Sequence, residues 1–208
     1  MHIGLFFGSF NPIHVGHMVL ANYMAAFTDL EQVWFVVSPH NPLKEKATLL
    51  NQNQRLHMVN LAISDNDKLK SSNIEFGLSQ PSYTINTLAH LKEKYPKHQF
   101  SLIMGEDNLE SFTKWKNYEE ILKNHKLYVY PRPNCNSEVP IAVGIKAHPN
   151  VIMTEKRKTP PFFNMTEATL MEISSTKIRK AIKDKKDVSF FVPQAVWQYL
   201  DEMSFYKK

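Results

Sequence analysis

With 208 residues, 43% of them hydrophobic, the chain has apolar material for a sizeable core and, against a prior of ~150 residues per domain, reads as one domain, 1–208, with a C-terminal helical segment over about 174–204. Its formal net charge of +5 suits an anionic ligand, but the lysines are interleaved with acids as on an ordinary solvated surface, so no nucleic-acid partner is expected. One cysteine, Cys135, excludes an internal disulfide, and no stretch reaches the ~20 apolar residues of a membrane span, so a cytoplasmic protein without a membrane partner is predicted.

Ile3–Phe7 is an apolar run of strand length that stops at Gly8 and turns through Asn11-Pro12. The chain resumes at Gly16, and the apolar segment Met18–Phe27 is too long for a strand and predicts a helix. Val33–Val37, β-branched and aromatic, predicts a second buried strand, and the intervening helix makes a βαβ unit with parallel strands. Gln54–Ile63 places apolar residues at 56, 59, 62 and 63, one face of a helix. Leu69–Phe76 predicts a third, more polar strand. Pro81-Ser82 opens a helix running through Tyr95, with Ile85, Leu88, Ala89 and Leu91 inward. Phe100–Met104 is a fourth strand, Asn117–Leu122 a short helix, Lys126–Tyr130 a fifth strand, Pro131–Pro149 a loop and Val151–Met153 a short sixth strand. This alternation predicts an α/β fold with a doubly wound, mainly parallel sheet, whose ligands bind at the carboxyl ends of the strands.

Two stretches carry candidate chemistry. After the first strand, His14 falls on the loop and His17 in the first helical turn, where backbone N–H groups lack intrahelical partners and the helix dipole is positive. That place favours an anion, to which imidazole donates, while Gly8 and Gly16 let backbone approach a ligand without a Cβ in the way. A metal role for the two histidines lacks further ligands at suitable spacing, and the glycines do not form G-x-G-x-x-G, which speaks against an oxidoreductase. Near the other end, Ser174 and Ser175 precede Ile178, Ala181 and Ile182 at helical spacing, with Thr176, Arg179 and Lys183 on the opposite face. This reads either as a capped, solvated basic helix or as hydroxyls, N–H groups and a guanidinium gathered around one anion.

Gly8-Ser9-Phe10-Asn11-Pro12-Ile13-His14-Val15-Gly16-His17 resembles the G-[ST]-F-[DN]-P-x-H-x-G-H signature of the nucleotidyltransferases related to class I aminoacyl-tRNA synthetases, with Phe7 where a second glycine is usual and Asn11 where Asp is frequent. Ile173–Arg179 is similar to the C-terminal phosphate motif I-S-S-T-x-I-R of the bacterial nicotinate-nucleotide adenylyltransferases. Between them, Pro39–Lys44 resembles that family's P-H-[KR] loop with Leu43 in place of histidine, Pro81–Leu88 its P-S-Y-T-x-x-T-[LV], Leu102–Asp107 with Trp115 its G-x-D and tryptophan, and Arg132-Pro133-Asn134 its R-P-G.

The resemblance implies a Rossmann-like fold and transfer of the adenylyl group of ATP to nicotinate mononucleotide, with Mg²⁺ accompanying the ATP. It assigns His14, His17 and Arg179 to catalysis and Gly8, Ser9, Phe10, Gly105, Asp107, Ser175 and Thr176 to ATP. Lys44, Tyr83, Thr84 and Trp115 fall to the acceptor, Trp115 stacking on the pyridine ring. Alternatives are an adenylyltransferase or cytidylyltransferase acting on another phosphate acceptor, such as nicotinamide mononucleotide, phosphopantetheine or glycerol phosphate, or nucleotide or nucleic-acid binding without catalysis.

Overall fold

The computed structural model describes residues 1–39, 49–109, 111–131, 145–153 and 173–207. The expected features at Lys44 and Arg132-Pro133-Asn134, and most of the 131–149 loop, lie outside the described residues. Six strands form one sheet in the order β3-β2-β1-β4-β5-β6, the order of doubly wound nucleotide-binding sheets. The chain divides into two compact units, Met1–Ser82 with Ile173–Lys208, and Tyr83–Glu172.

In the first unit β1 (His2–Gly8), β2 (Gln32–Val37) and β3 (Leu69–Ser72) pair in parallel, with Gly8 in register with Val37. Ile3, Leu5 and Phe6 of β1 and Val33, Phe35, Val36 and Val37 of β2 are buried, the near-continuous apolar pattern of strands covered on both faces. Helix α1 (Val15–Phe27) returns the chain from β1 to β2 and buries Leu20, Ala21, Met24 and Ala25. It closes where the Thr28 hydroxyl donates to Met24 O. Helix α2 (Gln52–Ile63) starts two residues earlier than the apolar pattern indicates, because Asn51 caps it by accepting the Asn53 N–H at 2.9 Å.

The expected strand over Leu69–Phe76 is half strand. The ladder ends at Ser72, Asn73 turns the backbone at φ −101°, ψ 20°, and Ile74–Gly77 is a 3₁₀ turn held by Phe76 N–H to Asn73 O. Alternating Ile74 and Phe76 imitate a strand period, but the asparagine favours a turn before them.

In the second unit β4 (Gln99–Gly105), β5 (Leu127–Tyr130) and β6 (Val151–Met153) pair in parallel. Helix α3 runs Thr84–Lys94 rather than from Pro81, since Tyr83 is still extended (φ −103°, ψ 138°) and serves as its N-cap. Its inner face is Thr87, Leu88 and Leu91, while Ala89, expected inward, is exposed. Thr87 is suited to the buried position because its hydroxyl reaches the Tyr83 carbonyl at 3.4 Å. A short α4 (Glu106–Leu109) follows β4 directly, and α5 (Tyr118–Asn124) precedes β5. Back in the first unit, α6 (Ser175–Lys183) and α7 (Gln194–Glu202) form the helical segment expected near the C-terminus, and α7 packs on α2.

Candidate active site

At the carboxyl end of β1 the chain makes a compact loop into α1. Phe10 takes a left-handed backbone (φ 44°), and its ring, 1% exposed, lies edge-on to Phe6, Phe35 and His17 at centroid distances of 5.9, 5.4 and 5.1 Å. A Cβ on Gly8 would stand 2.7 Å from that ring, so a side chain at position 8 displaces the aromatic beneath His17. The Asn11-Pro12 peptide is cis. His14 is the N-cap of α1 and His17 its third residue.

The two imidazoles stack at 3.7 Å between centroids and 22° between planes. Nδ1 of His17 accepts the His14 N–H at 3.3 Å, which in the neutral ring leaves the proton on Nε2, the tautomer that donates from that atom. Gly16 is part of the same packing: a Cβ there would lie 3.2 Å from His14 Nδ1. The start of α1 therefore combines the positive end of a helix with two imidazoles fixed against each other, an arrangement that suits an oxyanion.

The start of α6 is bound directly to this loop. Ser174 caps the helix by accepting the Lys177 N–H at 3.3 Å. Ser175 Oγ donates to Pro12 O at 2.8 Å and Arg179 Nη1 donates to Asn11 O at 2.8 Å, while Arg179 Nη2 reaches Thr176 Oγ1 at 3.4 Å. Ile178 and Ile182 are buried on the opposite face. The structure thus brings together Gly8, Ser9, Phe10, His14, His17, Ser175, Thr176 and Arg179, although the two motifs are some 160 residues apart in sequence. The basic helix is braced against the loop that leads into His14 and His17, which a merely solvated helix has no reason to be.

Two residues that the sequence pattern does not single out hold this loop from behind. Arg55 of α2 is fully buried, and its guanidinium donates to Ser9 O (2.6 Å), Ser38 O (2.8 Å), Pro39 O (2.9 Å) and Leu50 O (2.9 Å). It ties the exits of β1 and β2 to the approach to α2, and burial pushes its pKa down to about 10, with Tyr206 acting against that shift. Tyr206 donates its hydroxyl to Asn11 Oδ1 at 2.6 Å, and the same oxygen accepts the Leu50 N–H at 3.2 Å. The only sequence signal for Arg55 was an arginine on the apolar side of a helical pattern; for Tyr206 there was none.

The remaining expected residues are in the second unit. Gly105 ends β4 and is buried, and Asp107 is exposed in α4. Neighbouring Glu106 is paired with Lys146. Tyr83, 40% exposed, caps α3, and Thr84 is the first helical residue. Trp115 is half-buried, tilted against Phe112 at 5.3 Å, and Lys116 places its ammonium 4.9 Å from the centre of the Tyr83 ring. Lys44 lies outside the described residues.

Residues 5–181 match the cytidylyltransferase-like family model. A protein of Flavobacterium johnsoniae named probable nicotinate-nucleotide adenylyltransferase is 55% identical over the whole length of both chains. One of the same name from Cytophaga hutchinsonii is 46% identical over 99% of this chain and 98% of its own. Among solved structures, the Plasmodium falciparum nicotinic acid mononucleotide adenylyltransferase complexed with NaAD superposes with a TM-score of 0.76 at 18% identity, over 99% of this chain and 97% of that one. The last likeness concerns the fold.

Proposed function

The chain belongs to the cytidylyltransferase-like family and, within it, to the nicotinate-nucleotide adenylyltransferases; from that premise we propose that it transfers the adenylyl group of ATP to nicotinate mononucleotide, giving deamido-NAD and pyrophosphate in NAD biosynthesis. An oxygen of the acceptor phosphate attacks the α-phosphorus of ATP, the new P–O bond forms, and the bond from the α-phosphorus to the bridging oxygen breaks as pyrophosphate leaves. The attacking phosphate has a second pKa near ~6 and is an anion at neutral pH, so no general base is required. Holding two anions in line and neutralising the charge that builds on the leaving group are what the protein contributes.

The observation that carries this reading is the joining of the two motifs, Arg179 and Ser175 each donating to a carbonyl of the loop that leads into His14 and His17. His17 offers Nε2–H, His14 sits at the same helix start, and Arg179 spends two of a guanidinium's five donors on protein atoms among the described residues. We assign these three to the α-phosphate and the departing pyrophosphate. To Ser175 and Thr176, in the first turn of α6, we assign the outer phosphates, and to Gly8, Ser9 and Phe10 the floor of the site. Gly105 and Asp107 are assigned to the nucleotide, and Tyr83, Thr84, Trp115 and Lys44 to the acceptor.

Mg²⁺ enters as the ATP complex. The side chains grouped here are hydrogen-bond donors and cations, which suit phosphate oxygens, and among the described residues no three His, Cys, Asp or Glu side chains are grouped to hold a metal. A magnesium ion would therefore be held by the triphosphate oxygens, the side chains here taking the remaining phosphate oxygens, and would screen phosphate charge. Among the described residues no helix is long and apolar enough to cross a membrane.

Release of pyrophosphate from ATP and Mg²⁺, measured across nicotinate mononucleotide, nicotinamide mononucleotide, phosphopantetheine and glycerol phosphate, tests the reading. Turnover with nicotinate mononucleotide above all others supports it. ATP binding with a flat response to every acceptor replaces it with nucleotide binding alone.

A further inference from the structure

Asn11 is gripped through both of its oxygens. Its main-chain oxygen accepts Arg179 Nη1 at 2.8 Å, and its side-chain oxygen accepts the Tyr206 hydroxyl at 2.6 Å and the Leu50 N–H at 3.2 Å. The residue is 4% exposed and stands directly before Pro12, whose carbonyl receives Ser175, and three residues before the N-cap of α1. We propose that Tyr206 is a positioning residue for the phosphate site: by holding the Asn11 side chain it sets the carbonyl against which Arg179 is braced, and with it the entry of the chain into His14 and His17. This rests on the assignment of that loop to the ATP phosphates.

The tail that supplies Tyr206 is shaped to deliver it. Phe205 N–H donates to Leu200 O at 3.0 Å, the Phe205 ring lies edge-on to Tyr199 at 5.6 Å, and Tyr199 meets His57 of α2 at 4.7 Å. Lys207 pairs with Asp201 at 2.9 Å. Ser204 and Tyr206 both take left-handed backbones, φ 53° and 61°, which L-residues adopt only where their surroundings impose it. Burial pushes the Tyr206 phenol upward, while Arg179 and Arg55 act in the opposite direction. The hydroxyl therefore stays protonated, as a donor, across any ordinary assay range.

A bond that merely pinned the tail would, when lost, lower stability and leave each folded molecule working normally. A positioning bond changes how the folded enzyme handles ATP. The test compares wild type with Tyr206→Phe, which removes one oxygen, by ATP affinity in the absence of acceptor and by kcat and KM for each substrate, on protein whose folding is verified by circular dichroism. Tyr206→Phe is expected to weaken kcat/KM for ATP about threefold to tenfold, the range of one hydrogen bond, and to leave KM for nicotinate mononucleotide unchanged. In an Asn11→Ala background, where the accepting oxygen is gone, adding Tyr206→Phe produces no further loss. Asn11→Asp keeps an accepting oxygen and is expected to retain most of the activity.

Wild-type ATP affinity and kcat in Tyr206→Phe, an equal rise in KM for both substrates, or a full further loss on the Asn11→Ala background each overturn the proposal. If Tyr206→Phe does not fold, Asn11→Ala alone breaks the same bond from the other end, and unaltered ATP handling there overturns it equally. Because ATP affinity is read without acceptor, a wrong acceptor assignment appears separately, as absence of product from nicotinate mononucleotide in the wild type.

Discussion

His17 is held by three neighbours at once: its Nδ1 takes the His14 N–H while its face stacks on His14, and its ring meets Phe10 and Phe6 edge to face. Such fixing is what allows a donor to stabilise developing charge without reorganising, and removing one preorganised donor typically lowers kcat by ~10² or more. His17→Ala is expected to show that loss with a near-normal urea midpoint, since the core side of α1 is carried by Leu20, Ala21 and Met24; near-normal kcat in the folded variant would remove His17 from the catalytic set. Arg55 predicts the reverse pattern. Its four acceptors are main-chain carbonyls of three separate segments, and a buried carbonyl stripped of its donor costs about 1–3 kcal/mol. Arg55→Ala should therefore lower unfolding stability by more than ~4 kcal/mol, read as a shifted urea midpoint. Arg55→Lys should recover only part, because one ammonium cannot present the planar fork that spans the carbonyls. A variant as stable as wild type would mean that these contacts are dispensable.

At the scale of elements, the β1–loop–α1 unit was legible in sequence because its punctuation is local: a short apolar run, a glycine, Asn11-Pro12, then a longer apolar run. The helix start at Ser174-Ser175 was legible for the same reason. What the sequence did not reveal depends on partners far along the chain. Ile74 and Phe76 carry a strand-like alternation that Asn73 interrupts, and Arg55, on the apolar side of α2, has no evident role until the carbonyls around it are known. Gly16 offers a test of how closely α1 and its histidines are coupled. It lies inside the first turn, where alanine is the better helix former by roughly 1 kcal/mol, yet a Cβ there would approach His14 to 3.2 Å. The two effects oppose each other in stability but not in function. Gly16→Ala should leave the urea midpoint within about 1 kcal/mol of wild type while kcat falls about tenfold, because small displacements of a positioned group cost rate. Unchanged kcat would show that the His14 ring has room to move.

For the molecule as a whole, both motifs of the proposed phosphate site lie in one compact unit, Met1–Ser82 with Ile173–Lys208, whereas the residues assigned to the acceptor and described here are in the other. Binding of the ATP phosphates and recognition of the pyridine ring are then separable by mutation. Nicotinate and nicotinamide differ by a carboxylate against a neutral amide, so selection of the acid requires donors that reward negative charge. The start of α3, with Tyr83 as N-cap and Thr84 as first residue, supplies N–H groups at a positive helix end, and Lys116 adds a cation over the Tyr83 ring. An amide turned toward such donors leaves polar groups unmatched at ~1–3 kcal/mol each, and 1.4 kcal/mol is a factor of ten. Nicotinate mononucleotide should accordingly exceed nicotinamide mononucleotide by at least ~10-fold in kcat/KM. Trp115, half-buried and tilted on Phe112, offers a face for the ring, so Trp115→Ala should raise KM for the acceptor well above any change in KM for ATP. Equal kcat/KM for the two mononucleotides, or a Trp115→Ala variant impaired equally toward ATP, would overturn this assignment of the acceptor pocket while leaving adenylyl transfer at the first unit in place.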